Sequence, residues 1–181
     1  EIDAESVAEA MELPCESVSI MLDSPGGDFQ AALRFGRWLR GHSASAVVFG
    51  DAVCLSSCAL LYIGATDRMS GGTIGLHRPY LGGQPLSQAE VKDAVEGMMR
   101  SLRQYVAEMN ITPNFADIMQ NTPPEEIRIY QGIEIQELVP DKDLIEQELE
   151  IARGAEFFQL PTEVYRKRKA LAQAKCLGAS I

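Results

Sequence analysis

The sequence has no apolar run long enough to cross a bilayer, and positive charge is scarce in it. A membrane-spanning helix needs about 18 or more consecutive apolar residues, and every apolar stretch here is shorter. The 16 Lys and Arg residues stand against 26 Asp and Glu residues, so the formal net charge is −10. That balance argues against nucleic acid or an anionic membrane surface as a partner. We therefore expect no nucleic-acid partner and no membrane span in this chain.

Histidine and cysteine, the usual soft metal ligands, are also few. The histidines are His42 and His77, and the cysteines are Cys15, Cys54, Cys58 and Cys176. No second Cys/His pair stands at ligand spacing, so we expect no metal and no cofactor. The pair at 54 and 58 has two interpretations: two buried small hydrophobes, or half of a disulfide framework in an oxidising compartment.

The first residue is Glu1 rather than Met. This start indicates a processed or trimmed chain from which any targeting segment has been removed. Together with the cysteine pair it leads us to expect the periplasm or another exported location, with the cytoplasm as the alternative.

The chain of 181 residues is long enough for a domain with a real core. Strand, turn and helix alternate in its first half. Val18–Leu22 predicts a buried strand, and a glycine turn leads from it into a helix over 29–39. A second strand over 46–49 leads through Gly50–Ser57 into an apolar helix that ends near Gly64. Residues 67–72 predict a turn, and Thr73–Leu76 predicts a third strand. This alternation predicts an α/β fold with a parallel sheet.

Three polar features fall at the carboxyl ends of these strands: the pair Gly26-Gly27, Ser56 and His77. Each alone has a structural interpretation, namely a tight turn, a helix cap and a structural histidine. Reactive groups of open α/β sheets gather at this edge. We therefore expect the three features to meet at one edge of one sheet.

The second half of the chain is mainly helical. Ser87 and Glu90 form a capping box that opens a long helix over about 87–109. Its apolar stripe must be buried, either on its own domain or on another subunit. The later predictions are a short helix over 114–119, a strand over 127–130, a helix or strand over 132–139, a helix over 140–152 and a basic helix over 163–175. The basic side of that last helix is either a solvated face, which we favour, or a tail that docks on an acidic surface.

Four segments in this order resemble one family. They are Ser24-Pro25-Gly26-Gly27, the turn and apolar helix over 50–64, Ile74-Gly75-Leu76-His77-Arg78-Pro79, and the long helix that follows. Over residues 4–139 the chain resembles the Clp protease proteolytic subunit and its relatives, the ClpP/crotonase-like serine peptidases. The form of residues 54–60 is similar to a bacterial, often exported, offshoot.

The resemblance implies a ClpP/crotonase-like fold of repeated β-α units on a parallel sheet. The long helix over about 87–109 would be its protruding handle. We expect this domain to cover residues 1–139 and a C-terminal helical extension to cover 140–181, a stretch for which the family offers no counterpart.

The resemblance also implies the roles of the site residues. Ser56 matches the nucleophile, with Ser57 as the alternative if the match shifts by one residue. His77 matches the general base. The N–H of Ser57 and that of Gly26 or Gly27 match the oxyanion donors.

The third catalytic position departs from the family. The family places an aspartate after the handle, whereas residues 119–126 here contain none. Asn121 is the nearest polar match, with Thr122 and Glu126 as alternatives. An asparagine can orient a histidine but lacks the full charge that would stabilise its cation.

The expected function is that of a serine peptidase, a homo-oligomer that cleaves peptides or proteins by acyl transfer. The extended substrate would bind by strand addition along Gly26-Gly27-Asp28. The alternatives are an inactive ClpP-like scaffold or assembly module and a crotonase-type acyl-CoA enzyme. The crotonase-type chemistry needs no nucleophile, so the presence of both Ser56 and His77 argues against it.

Overall fold

The structure is a computed structural model that describes residues 1–13, 18–81, 87–139 and 144–177. It divides into two compact units, Glu1–Asp143 and Leu144–Ile181. The sequence predicts a boundary after residue 139, close to the point at which these units divide. Residues 14–17, 82–86 and 140–143 lie outside the described residues, so the start of the helix predicted over 140–152 stays a prediction.

Strands and helices are interleaved along the first unit up to residue 76. In order they are α1 Ala4–Met11, β1 Ser19–Met21, α2 Phe29–Gly41, β2 Ser45–Val48, β3 Val53–Leu55, α3 Cys58–Gly64, β4 Asp67–Ser70, β5 Thr73–Leu76, α4 Gln88–Glu108, α5 Asn114–Asn121, β6 Arg128–Gln131 and α6 Ile133–Leu138. The second unit contains α7 Leu144–Phe157 and α8 Thr162–Leu177.

The described strands form two sheets, where the sequence predicts one. The first sheet has the order β1-β2-β4 and is wholly parallel. The second has the order β3-β5-β6, in which β3 and β5 are parallel and β6 is antiparallel to β5. A single parallel bridge between Ser24 and Cys54 joins the two. The predicted repeated β-α units are present, but the prediction of a single sheet is wrong.

The predicted turn over 67–72 is wrong as well, because Asp67–Ser70 is strand β4. The segment pairs along its whole length with β2. Arg68, which makes the segment look like a surface turn, is buried and donates to the carbonyl of Ala65. Strand β3 was not predicted, since three residues are too few for a periodic signal.

Helices α2 and α3 approach each other closely through two glycines. A Cβ built on Gly64 would lie 2.6 Å from the Cα of Gly36. Tyr105 of α4 closes this contact, because its hydroxyl donates to the carbonyl of Leu60 at 2.7 Å. Burial raises the pKa of Tyr105. Every residue of α3 is buried, so this short helix is the centre of the core.

The long helix α4 begins as its sequence predicts. Ser87 is the N-cap, and its side chain and that of Glu90 form both hydrogen bonds of the capping box. Leu102, Tyr105 and Val106 in its second half are buried on their own domain. Val91 in the first half is exposed, so the prediction of a subunit contact applies only to that half.

The second unit is a pair of helices held together by ion pairs. Arg166 of α8 donates two hydrogen bonds to the carboxylate of Glu148 on α7, at 2.6 and 2.8 Å. Lys169 lies 2.8 Å from Glu150. Basic residues predicted as a solvated face therefore pair with α7. Within the described ranges, no helix is both long and apolar enough to span a membrane.

Candidate active site

Ser56 lies in a sharp turn between a strand and a helix. It follows β3 directly, Ser57 caps α3, and the φ of Ser56 is +57°. This left-handed conformation costs a residue other than glycine about 1–2 kcal/mol. Hydrogen bonds from neighbouring segments hold the turn: Ser56 N–H donates to Gly75 at 2.8 Å, and Leu55 N–H donates to Ser24 at 2.9 Å. A serine at positive φ between a strand and a helix resembles a nucleophile elbow, the kind of turn that presents a serine hydroxyl above the end of a sheet.

The glycine turn after β1 packs directly against this serine turn. Gly26 and Gly27 have φ values of +107° and +144°, which residues with a side chain rarely adopt. A Cβ on Gly26 would lie 2.8 Å from the Cβ of Ser56 and 2.9 Å from the carbonyl oxygen of Leu55. Glycine is therefore required here for close approach as well as for backbone conformation.

The hydrogen bonds distinguish between Gly26 and Gly27 as oxyanion donors. The N–H of Gly26 donates to the Ser24 hydroxyl at 3.2 Å. The carbonyl of Gly27 accepts from the Ser57 hydroxyl at 2.9 Å, so Gly27 lies against the serine turn. Among the described residues, the N–H groups of Gly27 and Ser57 donate to no partner. These two donors remain available for a ligand.

The other edge of the glycine segment is occupied by the chain itself. Ile2 N–H donates to Gly26, and Asp28 N–H donates to Ile2, both at 2.8 Å. A peptide cannot add along this edge while Ile2 is in place. The strand addition expected along residues 26–28 is therefore restricted to the side of Gly27 that faces Ser57.

His77 follows β5 and is 6% exposed. Its Nδ1 lies 2.9 Å from the carbonyl oxygen of Arg78. A carbonyl can only accept, so this hydrogen bond places the proton on Nδ1 and leaves a lone pair on Nε2. That is the tautomer in which Nε2 can take a proton from a serine. Arg78 is itself fixed, because its N–H donates to the carbonyl of Thr122 at 2.8 Å.

Of the three candidates for the third position, two are exposed and the third has its hydroxyl already bonded. Asn121 is exposed at the end of α5, and its side chain makes no hydrogen bond with the described part of the chain. The Thr122 hydroxyl donates to Ile118 at 2.8 Å, and Glu126 is exposed. The carbonyl of Arg78 is thus the group that orients His77 in this structure. Sequence reasoning missed it, since a backbone carbonyl leaves no residue-type signal. The role expected for Asn121 stays a prediction.

A cavity of about 570 Å³ brings the other predicted site residues together. Gly26, Gly27, Ser56, Ser57 and His77 all line it. The contacts of the described residues include no Ser56–His77 hydrogen bond. The remaining lining residues are Glu1, Pro25, Asp28, Phe29, Gln30, Pro79, Tyr80, Leu81, Met98 and Met119. Met98 of α4 and Met119 of α5 were not predicted here, because their spacing indicates only a buried helix face.

The sequence predicts a site at one edge of one sheet, but the residues of the site follow strands of two sheets. Ser56 and His77 follow β3 and β5, which are neighbours in the second sheet. Gly26 and Gly27 follow β1 of the first sheet. The bridge between Ser24 and Cys54 brings the two sheets into register at this point.

Cys54 and Cys58 form a disulfide, and both residues are fully buried. The disulfide is therefore the correct interpretation of this pair. Cys15 lies outside the described residues. In the described part of the chain, no cluster of three or more His, Cys, Asp or Glu side chains is arranged to hold a metal ion.

The strand order, the serine turn and the handle-like helix define a ClpP-like α/β fold, which confirms the resemblance noted in the sequence. One similar solved structure is a mutant of ClpP1 from Listeria monocytogenes, with a TM-score of 0.54 and 16% identity over 76% of this chain and 81% of that one. Another is a mutant of 1510-N, a membrane-bound stomatin-specific protease, with a TM-score of 0.54 and 16% identity over 80% of this chain and 73% of that one. No family model and no curated protein matches the sequence. At this identity the likeness is one of fold.

Proposed function

We propose that this chain is a serine hydrolase of the peptidase type, with Ser56 as the nucleophile and His77 as the general base. The observation that carries the proposal is the pairing of two features in one cavity. One is a serine held at positive φ in a strand–turn–helix elbow, and the other is a histidine whose Nδ1 proton is fixed by a carbonyl. The protease named among the fold's neighbours supports peptide or protein as the substrate class.

The proposed reaction is acyl transfer. Nε2 of His77 takes the proton of the Ser56 hydroxyl as the oxygen attacks the substrate carbonyl. The negative charge that develops on the carbonyl oxygen is stabilised by the N–H groups of Gly27 and Ser57. The protonated imidazole then gives its proton to the leaving amine, and water releases the acyl group by the reverse sequence. The Arg78 carbonyl holds the imidazolium by its Nδ1 proton, without the full charge that an aspartate would supply.

Labelling with a fluorophosphonate tests this proposal, because the reagent modifies only an activated serine. We expect wild type to label at Ser56 and Ser56→Ala to lose labelling by 1000-fold or more, on the order of what removing a catalytic serine costs. Ser57→Ala is the matched control: its N–H remains, so labelling should stay measurable. Labelling that survives in Ser56→Ala and disappears in Ser57→Ala would identify Ser57, and not Ser56, as the nucleophile.

The third position has its own test. If the Arg78 carbonyl orients His77, Asn121→Ala should label at a rate within about twofold of wild type. His77→Gln should lose labelling, as Ser56→Ala does. A labelling rate that falls tenfold or more in Asn121→Ala would show that Asn121 takes part in the catalytic site.

A second candidate function is a scaffold that keeps the fold without turnover. One observation favours it: among the described side chains, no carboxylate hydrogen-bonds to His77. Failure of wild type to label would support the scaffold over the hydrolase.

We also propose that the chain is exported and self-associates. The buried Cys54–Cys58 disulfide supports an oxidising compartment. Exposed Val91 in the first half of α4 supports a contact with a second copy. Sedimentation at micromolar concentration tests the association, and a monomer would contradict it.

A further inference from the structure

We infer that the Cys54–Cys58 disulfide is a positioning device for the nucleophile turn. In this inference the covalent bond sets the conformation of residues 55–57, and the reactivity of Ser56 depends on it. The inference rests on the proposed function of Ser56. It goes beyond that function because it makes oxidation of two thiols a step in forming the site.

The placement of the two cysteines carries the argument. Cys54 is the middle residue of β3, and Cys58 is the first residue of α3. Only Leu55, Ser56 and Ser57 lie between them, and the two Cα atoms are 5.1 Å apart. The bond therefore ties together the two elements whose separation determines where Ser56 points.

Each end of the disulfide is attached to a fixed part of the fold. Cys54 is bridged to Ser24 of the segment that leads into the glycine turn. Cys58 lies in a helix whose every residue is buried. The turn between them is the strained part, since Ser56 is half-buried and adopts a conformation that serine does not favour. Without the covalent bond, the turn can relax while both of its supports stay in place.

The shortness of the loop predicts a local effect. A disulfide stabilises a protein by restricting the unfolded chain, and this gain grows slowly with the length of the loop that it closes, so it is smallest for short loops. With three residues between the cysteines, this loop is among the shortest. The Cys54–Cys58 bond should therefore affect the conformation of the native turn more than the overall stability of the fold.

An oxidising disulfide accepts the two electrons that the thiols of Cys54 and Cys58 lose when their bond forms. The thiolate of one cysteine attacks a sulfur of an oxidising disulfide and releases one thiol of it. The thiolate of the second cysteine then attacks the mixed disulfide, forms the Cys54–Cys58 bond and releases the second thiol. Both cysteines are 0% exposed in the folded chain, so the exchange takes place before the core has closed. The bond then resists reductants in solution, which makes it a step of maturation.

The test uses a background in which Cys15→Ala and Cys176→Ala leave only the pair at 54 and 58. Three forms are compared: the oxidised protein, the same protein refolded with dithiothreitol, and the further double variant Cys54→Ala/Cys58→Ala. Alkylation under denaturing conditions without reduction should modify no cysteine in the first form and two in the second. Fluorophosphonate labelling and amide hydrogen exchange of residues 50–60 are then measured on each. Exchange of β2 serves as the control for the fold.

We expect both forms without the disulfide to label 10- to 100-fold more slowly than the oxidised protein, the loss typical of a catalytic group displaced by about 1 Å. Amide exchange should rise over residues 50–60 and stay unchanged in β2. Labelling within twofold of the oxidised protein would overturn the inference. A rise in exchange throughout the sheets would also overturn it, because the bond would then hold the whole fold. Two free thiols at 54 and 58 in protein made in an oxidising compartment would do the same.

The outcome separates this inference from the proposed function. If the oxidised protein does not label at all, the hydrolase proposal fails and the exchange comparison alone decides the inference. In that case faster exchange over residues 50–60 supports the positioning role of the disulfide, and unchanged exchange contradicts it.

Discussion

The two strand–turn–helix units of the first half differ in how each turn obtains its conformation. The turn after β1 uses Gly26 and Gly27, for which positive φ carries no side-chain penalty. The turn after β3 places Ser56 at positive φ and holds it with hydrogen bonds from neighbouring segments and a disulfide. The first turn is permitted by its residue type, whereas the second is imposed by its surroundings. A strained polar residue held in this way is typical of a functional position.

The largest expected effect comes from Gly26→Ala, which alters the first turn at its contact with the second. The new Cβ would press on Ser56 Cβ and on the Leu55 carbonyl, and alanine does not tolerate a φ of +107°. We expect fluorophosphonate labelling of Ser56 to fall 100-fold or more, since the nucleophile moves relative to His77.

The matched control is Gly50→Ala, in the segment that leads into β3 of the site. A Cβ on Gly50 would meet nothing within 4 Å, so its labelling should be close to that of wild type. A Gly26→Ala protein that labels within threefold of wild type would show that the two turns are independent.

The next largest effect concerns the helices behind the turns. In Gly36→Ala the new Cβ would overlap the Tyr105 hydroxyl and lie 2.8 Å from its Cζ. The new Cβ would displace Tyr105 from the contact between α2 and α3, and we expect a loss of about 3 kcal/mol in the free energy of unfolding. Denaturant unfolding measures this change.

Gly41→Ala is the control for that measurement, because it lies on the same helix with nothing within 4 Å of its Cβ. Removing glycine from a helix should leave stability unchanged or raise it by up to about 1 kcal/mol. Equal losses in the two variants would contradict the role given to the Gly36–Gly64 contact.

The comparison of the two strand–turn–helix segments also shows which features can be predicted from the sequence and which cannot. Strand β1, its glycine turn and α2 were predictable, because the apolar run, the glycine pair and the helical spacing of Ala32, Phe35 and Leu39 are local signals. The order of Ser56 and His77 was recognisable through a family resemblance.

The division into two sheets and the group that orients His77 were not predictable. Both depend on contacts between segments distant in the chain, namely the bridge of Ser24 to Cys54 and the hydrogen bond that fixes Arg78 against Thr122. Strand β4 was mistaken for a turn since its buried charge, Arg68, imitates a surface residue. The disulfide left a signal in the i, i+4 spacing of its cysteines, but that spacing is shared by buried thiols.

A smaller effect is expected where α4 closes the contact between the two helices. Tyr105→Phe removes the hydrogen bond to Leu60, and we expect a loss of about 1 kcal/mol in the free energy of unfolding at pH 8. Burial raises the pKa of Tyr105, so the folded state keeps the neutral phenol while the unfolded state ionises near pH 10. Stability from this group is therefore present below pH 10 and lost above it.

The phenylalanine variant lacks that ionisation, so the difference between the two proteins should narrow by about 1 kcal/mol between pH 8 and pH 11. Denaturant unfolding at both pH values measures it. A difference that stays constant would show that the Tyr105 hydroxyl reaches water.

The smallest effect separates the chemistry of Ser56 from its conformation. Ser56→Ala and Ser56→Gly both remove the hydroxyl and should both abolish labelling. Glycine adopts a φ of +57° without the penalty that alanine retains, although glycine also loses more entropy on folding. The net expectation is that Ser56→Gly is more stable than Ser56→Ala by about 0.5 to 1 kcal/mol, measured by denaturant unfolding. If instead the alanine variant were the more stable, the serine turn would carry no strain and would differ from the glycine turn only in its side chain.

The advantage of glycine should persist in the reduced protein only if the neighbouring hydrogen bonds are sufficient to hold the turn. If the disulfide imposes the conformation, the advantage should shrink once the bond is opened, because a relaxed turn places no demand on the residue at position 56.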